Sequence, residues 1–279
     1  MLGYTDSKLF GREIPISGVI GDQQAALFGQ AGFEKGAAKN TYGTGCFTLT
    51  NTGNSVCTPR FGLISTIAWS RGGKVTYALE GSVFIGGAVI QWLRDRLGVL
   101  RKASDTELIG RKTPDSGGVF FVPALTGIGA PYWDMYARGL IIGITRDTTR
   151  NQIVRAALES ICLQTADVLE AMTRTTGSQL RSLKVDGGAS VNNFLMQLQA
   201  DLLGLPIERS AIAETTALGA AFLAGLAVGL WDDLGELRSL RKVNRVFKPA
   251  MDEDTRAQMR LGWKRAVQRA LNWARPDGA

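Results

Sequence analysis

Three short glycine-bearing segments and one carboxylate are the places in this sequence where chemistry could be done. Asp22 closes the apolar run Pro15-Ile16-Ser17-Gly18-Val19-Ile20-Gly21 and opens a helical stretch, Gln23–Phe28. An aspartate there suits a helix N-cap. It equally suits a general base aimed into a cleft, as phosphoryl transfer to a hydroxyl requires. Tyr42-Gly43-Thr44-Gly45-Cys46-Phe47 reads as a hairpin whose backbone N–H groups and threonine hydroxyl could converge on phosphate oxygens. A plain tight turn needing φ > 0 explains the same residues. Asp186-Gly187-Gly188-Ala189, ahead of Asn192, leaves a strand for a helix N-terminus, where an anion is favoured. A plain strand–helix connection is the commoner explanation of such a pair of glycines. Phe84-Ile85-Gly86-Gly87-Ala88 stands at the entrance to a helix carrying Gln91.

Other chemistries are excluded by what the sequence lacks. It has no histidine in 279 residues, which removes Ser–His and Cys–His pairs and every His-ligated metal site. Cys46, Cys57 and Cys162 are scattered without a C-x-x-C pair, so no zinc site is expected, and a reducing, cytoplasmic setting is. No G-x-x-x-x-G-K-[ST] occurs, and the pairs Gly43/Gly45 and Gly127/Gly129 lack the third glycine of a dinucleotide fingerprint. The first residues carry no basic and apolar leader, and no apolar run approaches the roughly 20 residues of a membrane span. The net charge of +7 is concentrated near the C-terminus, where Arg256, Arg260, Lys264, Arg265, Arg269 and Arg275 face a single acid, Asp277. Leu261, Val267, Ala270 and Leu271 recur there at helical spacing, so these charges read as a solvated helix face and not as a nucleic-acid surface.

The elements that must position these residues follow from periodicity. Pro15–Gly21 reads as a buried strand. Ala37–Tyr42, Phe47–Asn51, Leu63–Trp69 and Val75–Leu79 are closely spaced β-type runs, which predicts an antiparallel meander. Ile90, Trp92, Leu93 and Leu97 mark a helix, and Val119–Pro123 and Ile141–Ile144 mark strands. A long helix follows, with Ile153, Ala157, Ile161, Val168 and Met172 on one face. Leu183–Val185 is a strand, succeeded by helices over about 191–203, 216–230 and 254–273. Strands first and then alternating strands and helices define an α/β unit with a mixed sheet flanked by helices. No internal repeat or disordered linker is present.

Taken together the motifs closely resemble the glycerol kinases of the FGGY carbohydrate kinase family. The residues that carry the resemblance are Gly21–Ala26, Lys39–Phe47, Ala78-Leu79-Glu80-Gly81, Gly127–Asp134, Gly139–Ile144, Ala156–Glu159, Asp186–Ala189 and Thr216–Ala221. The resemblance implies an actin/hexokinase-like (ribonuclease H-like) ATPase domain and ATP-dependent phosphorylation of glycerol to glycerol 3-phosphate with Mg²⁺. It implies that Asp22 is the catalytic base, that Gln23 and Phe47 contact glycerol with it, and that Thr44, Gly87, Gln91, Gly188 and Asn192 contact the nucleotide. Residues 1–30 then correspond to the end of the family's N-terminal lobe and 31–279 to its C-terminal nucleotide-binding domain. The remainder of the N-terminal lobe has no counterpart here. An inactive nucleotide-binding fragment, or a kinase for another polyol or sugar, is the alternative. Glycerol and ATP are the implied partners, with no nucleic acid or membrane, and a homo-oligomer is left open.

Overall fold

The structure, a computed structural model, describes residues 2–276. Asp277 lies outside the described residues. The chain opens with a two-stranded ribbon, β1 (Gly3–Tyr4) against β2 (Pro15–Ile16), joined through the one-turn helix α1 (Ser7–Phe10). The buried strand expected through Gly21 stops at Ile16, and Val19 is 72% exposed. The reason is that β2 pairs only with β1 and joins no sheet with a covered face.

Helix α2 (Asp22–Gly29) leads into β3 (Ala38–Tyr42), β4 (Cys46–Gly53), β5 (Ile64–Arg71) and β6 (Lys74–Val83). Helices α3 (Ala88–Asp95) and α4 (Asp105–Lys112) precede a small antiparallel pair, β7 (Phe120–Val122) and β8 (Leu140–Ile142). The long helix α5 (Arg150–Thr176), strand β9 (Leu183–Asp186), a single 3₁₀ turn (Gly188–Val191) and α6 (Asn193–Leu203) come next. The chain ends with β10 (Ile207–Ser210), α7 (Thr215–Ala227), α8 (Leu234–Leu240), β11 (Val243–Phe247) and α9 (Glu253–Ala270).

Seven strands make one mixed sheet in the order β11-β10-β9-β3-β4-β6-β5, with β3, β9 and β10 parallel. The four early strands are antiparallel as expected but do not form a meander, because β6 inserts between β4 and β5. Central β4 then has five consecutive buried residues, Thr48–Thr52, and the edge goes to β5, whose Ile64 and Ile67 stay exposed. Helices α5 and α6 cover one face. Tyr42 reaches through that core to donate its hydroxyl to Gln199 (2.7 Å). Buried almost all round, α5 is the central helix of the larger core. Thr149 and Gln152 cap its first turn reciprocally, and Gly177 ends it in the left-handed region.

Helices α2 and α7 cover the opposite face over a smaller core of Leu27, Phe28, Leu49, Trp69 and Phe222. Their backbones nearly touch. A Cβ at Gly219 would lie 1.9 Å from the Ala25 carbonyl oxygen, so only glycine permits this crossing. The Thr216–Ala221 motif thereby fixes the helix that carries Asp22. On α9 the cations are only partly solvated, contrary to the open face expected. Arg260 and Lys264 both pair with Glu170 of α5, and Arg256 donates to the Asp201 carbonyl (2.7 Å). The three cysteines are free thiols, and among the described residues no helix is long and apolar enough to cross a membrane.

Candidate active site

The hairpin between β3 and β4 sits at the carboxyl end of the parallel strands, where open α/β sheets bind ligands. It is locked onto the entrance of α3. Gly86 and Ala88 donate their N–H groups to the Thr44 carbonyl (2.8 and 3.1 Å), and Gly87 donates to Gly43 (2.9 Å). The segment is a tight turn, with Tyr42 paired to Cys46 across it, but neither Gly43 nor Gly45 takes a positive φ, so left-handed backbone is not what requires these glycines. Gly45 is required for another reason: a Cβ there would stand 2.4 Å from the Val83 carbonyl oxygen.

Between this hairpin and the β9–α6 connection lies a cavity of about 450 Å³. Thr44, Gly87, Gln91, Gly188 and Asn192, from three separate segments, all line it. Ile90, Leu158, Ile161 and Leu195 give it an apolar floor. Its far wall is α4 with Ala103 and Ser104, a helix absent from the sequence expectations. Asn192 holds that wall: its side chain caps α6 by accepting from the Leu195 N–H (3.0 Å) and donates to the Thr106 hydroxyl (3.1 Å). The adjacent Asn193 donates twice to Glu107 (3.2 and 3.1 Å).

The two glycines after β9 have different duties. Gly187 has φ 85°, and a Cβ on it would lie 2.6 Å from the Tyr42 carbonyl oxygen. Gly188 has no atom within 4 Å of its would-be Cβ and no positive φ, yet it lines the cavity. Gly187→Ala is therefore expected to destabilise the fold by about 1–3 kcal/mol. Gly188→Val should change stability by no more than about 0.5–1 kcal/mol. Chemical denaturation of the two variants checks the contrast.

Asp22, Gln23 and Phe47 lie outside this cavity. Asp22 is the first helical residue of α2, with Gly21 at the cap position and no side-chain capping bond, so the N-cap reading of Asp22 fails. Its exposed carboxylate accepts from the Gln23 N–H (2.8 Å) and from the Gln23 amide nitrogen (3.4 Å). Below them is Lys39, fully buried on the sheet face that α2 covers. Its Nζ donates to the Gln23 Oε1 (2.5 Å) and the Thr41 hydroxyl (3.0 Å). Register sets Phe47 opposite Thr41 and beside Ser82, on that same face. Thr41 is the penultimate residue of β3, and Thr44 lies three residues on, in the turn that follows. The group around Asp22 thus stands just behind the hairpin.

Burial lowers the Lys39 ammonium to about 8, against the pull of the nearby carboxylates Asp186, Glu80 and Asp22. The unfolded chain therefore holds an extra proton between pH 8 and 10.5, and stability rises with pH through that window. From pH 7 to 9.5 the gain attributable to Lys39 is about 2 kcal/mol. Burial depresses Lys184 to about 8 as well, in the same direction. The wild type minus Lys39→Met difference in urea-unfolding free energy, followed over that range, isolates the Lys39 share. A pH-independent difference contradicts this assignment. In the sequence Lys39 looks like an ordinary polar strand position, and its place inside the Lys39–Phe47 motif is its one visible signal.

Asp186 is also buried, accepting from Gln30 (2.7 Å) and from the Thr215 hydroxyl, with its other oxygen unpartnered. Among the described residues no three acidic, cysteine or histidine side chains converge as a metal site.

Glycine loops at the carboxyl edge of a mixed sheet, enclosing an apolar-floored cavity, form the kind of crevice in which α/β domains bind small ligands. A model of the FGGY family of carbohydrate kinases, C-terminal domain, matches residues 38–228, and the chain belongs to that family. It is 60% identical over 272 residues to a glycerol kinase of Alkaliphilus oremlandii, covering 97% of this chain and 54% of that protein. It is 60% identical over 271 residues to glycerol kinase 2 of Thermotoga maritima, covering 97% and 55%. Among solved structures, Plasmodium falciparum glycerol kinase with ADP aligns at TM-score 0.89 and 41% identity, over 96% of this chain and 53% of that one. A xylulose kinase from Lactobacillus acidophilus shares the fold at TM-score 0.78 and 24% identity, over 88% and 49%. The fold is the actin/hexokinase-like one. The chain spans about half the length of the curated relatives it matches.

Proposed function

We propose that this chain supplies the nucleotide side and the carboxylate base of a glycerol kinase, which moves the γ-phosphoryl group of ATP to a glycerol hydroxyl. The observation that carries the reading is that Thr44, Gly87, Gln91, Gly188 and Asn192 line one cavity. The glycerol kinase relatives, one of them solved with ADP, support the same substrates. The apolar floor takes the adenine, and the Thr44 hydroxyl meets the phosphates at the hairpin. Gly188 leaves room for the nucleotide to approach the backbone. Asp22 accepts the proton of the attacking hydroxyl, Gln23 orients that hydroxyl, and Phe47 packs on the carbon chain. Lys39 is a positioning residue, since its bond to Oε1 turns the Gln23 amide nitrogen toward Asp22. Mg²⁺ arrives with ATP and neutralises charge on the phosphates. In this reading residues 1–30 close a first lobe, and 31–279 form the second.

A binding-only reading has its own support, because the chain spans about half of its relatives' length. Phosphoryl transfer depends on positioning and charge stabilisation from both sides of the transferred group. A coupled ADP-release assay separates the two. It would be run with glycerol, xylulose and gluconate, on the chain alone and on a chimera with the N-terminal half of the A. oremlandii enzyme. The kinase reading expects glycerol-dependent turnover by the chimera and little by the chain alone. A chimera that is folded yet prefers xylulose or gluconate refutes the glycerol assignment.

A further inference from the structure

A second cavity, about 640 Å³, opens at the other end of β3, β9 and β10, away from the hairpin. Five cationic side chains line it, Lys35, Arg181, Lys184, Arg238 and Arg241, against two carboxylates, Glu34 and Glu208. Five minus two leaves an excess of three positive charges in one concavity. Both carboxylates are already engaged. Glu208 accepts from Arg241 (2.7 Å) and from the Ser182 hydroxyl (2.7 Å), and Glu34 pairs with Arg238 (3.1 Å). Among the described residues Lys35 and Arg181 have no ion-pair partner. Lys184 donates only to the carbonyls of Gln30 and Ala31 (2.9 and 3.0 Å).

Two features separate this cavity from a solvated basic surface. Arg241 uses a single nitrogen, while its Nε and Nη2 are buried without any acceptor. Buried guanidinium donors are ordinarily matched, so the cavity wall is short of acceptors. Burial, with Arg241 and Arg238 nearby, also discourages the charge on Lys184. Like charges gathered in a concavity repel one another unless an anion joins them. We propose that this cavity is a binding site for a small oxyanion of the phosphate class bearing two or more charges. Arg181 and Lys35 contact the anion at the mouth, and Lys184 and Arg241 supply the field behind it. The site is separate from the nucleotide cavity and does not depend on the kinase reading.

Calorimetric titration of the chain with sodium pyrophosphate and with orthophosphate, at constant ionic strength in chloride, tests the proposal. Saturable binding is expected, with pyrophosphate the tighter ligand. The double variant Lys35→Gln/Arg181→Gln should bind pyrophosphate at least tenfold more weakly. Both side chains are exposed and unpaired, so that variant should fold. A charge-matched control, Lys102→Gln/Arg146→Gln, removes two exposed cations elsewhere and should bind as wild type. Three outcomes overturn the site: unchanged affinity in the double variant, an equal loss in the control, or saturable binding that disappears only with Gly188→Val.

Discussion

Replacing Asp22 by asparagine is expected to lower kcat for glycerol phosphorylation by about 10²–10⁴-fold in the chimeric enzyme. ADP affinity should stay within about twofold of wild type, because Asp22 lies outside the cavity that Thr44 and Gly188 line. The magnitude follows from the role proposed for it. Asparagine keeps the shape and the hydrogen bond from the Gln23 N–H but cannot accept the hydroxyl proton. Stability is a weak confounder. Asp22 is exposed at the first turn of α2 and caps nothing, so its loss removes a helix-dipole interaction of about 0.3–1 kcal/mol together with its attraction for the Lys39 ammonium and its contact with the Gln23 amide. Steady-state kinetics with a parallel ADP titration reads both effects. Normal turnover in Asp22→Asn would remove the base from the account.

The second large effect belongs to the wall of the cavity. Arg155 and Glu159 form an ion pair one turn apart on α5 (2.7 Å), with side chains only 10% and 3% exposed. Arg155 also donates to the carbonyls of Gly110 and Thr113 at the end of α4 (2.9 and 3.1 Å), and its guanidinium stacks over the Phe194 ring at 4.5 Å. One side chain thus ties α4, α5 and α6 together around the cavity that Thr44 and Gly188 line. Arg155→Met is expected to cost about 3–5 kcal/mol, because it strands a carboxylate in the core. Burial already pushes the Glu159 carboxyl up despite the arginine beside it. Without Arg155 it would take up a proton more readily, so the cost should shrink as the pH is lowered. The double variant Arg155→Met/Glu159→Leu should recover much of the loss, since it leaves no unpaired charge. Denaturant unfolding of the single and double variants distinguishes this from a simple packing defect, in which the double variant would be the worse of the two.

Much of this site is legible in the sequence, for a physical reason. Glycines that let backbone approach backbone or ligand leave a local mark, so the segments around Thr44, Gly87 and Gly188 were visible in the sequence. The long periodic helix α5 and the strand leading to Asp186 were equally plain. Helix α4 was not, because only Thr106 and Gly110 of its eight residues are buried and no apolar stripe exists. Its acidic first turn and basic last turn were the available signal. Strands β10 and β11 leave no clear pattern either, since Glu208, Arg209 and Ser210 follow Ile207 and only Phe247 of the edge strand is buried. The insertion of β6 between β4 and β5 depends on which strand can be covered on both faces, which no short window records. Lys39 is the sharpest case, since its meaning comes from Gln23 and three carboxylates brought to it by the fold.

The central claim is that the cavity between the Thr44 hairpin and Gly188 holds the nucleotide of a kinase. The most direct measurement is a calorimetric titration of MgADP into the chain, with Gly188→Val and Asp22→Asn in parallel. One ADP per chain is expected for wild type and for Asp22→Asn, with affinity at least tenfold weaker in Gly188→Val, whose stability should stay within about 1 kcal/mol of wild type. Wild-type protein that binds no ADP, or a Gly188→Val variant that binds it as tightly as wild type, would contradict the claim.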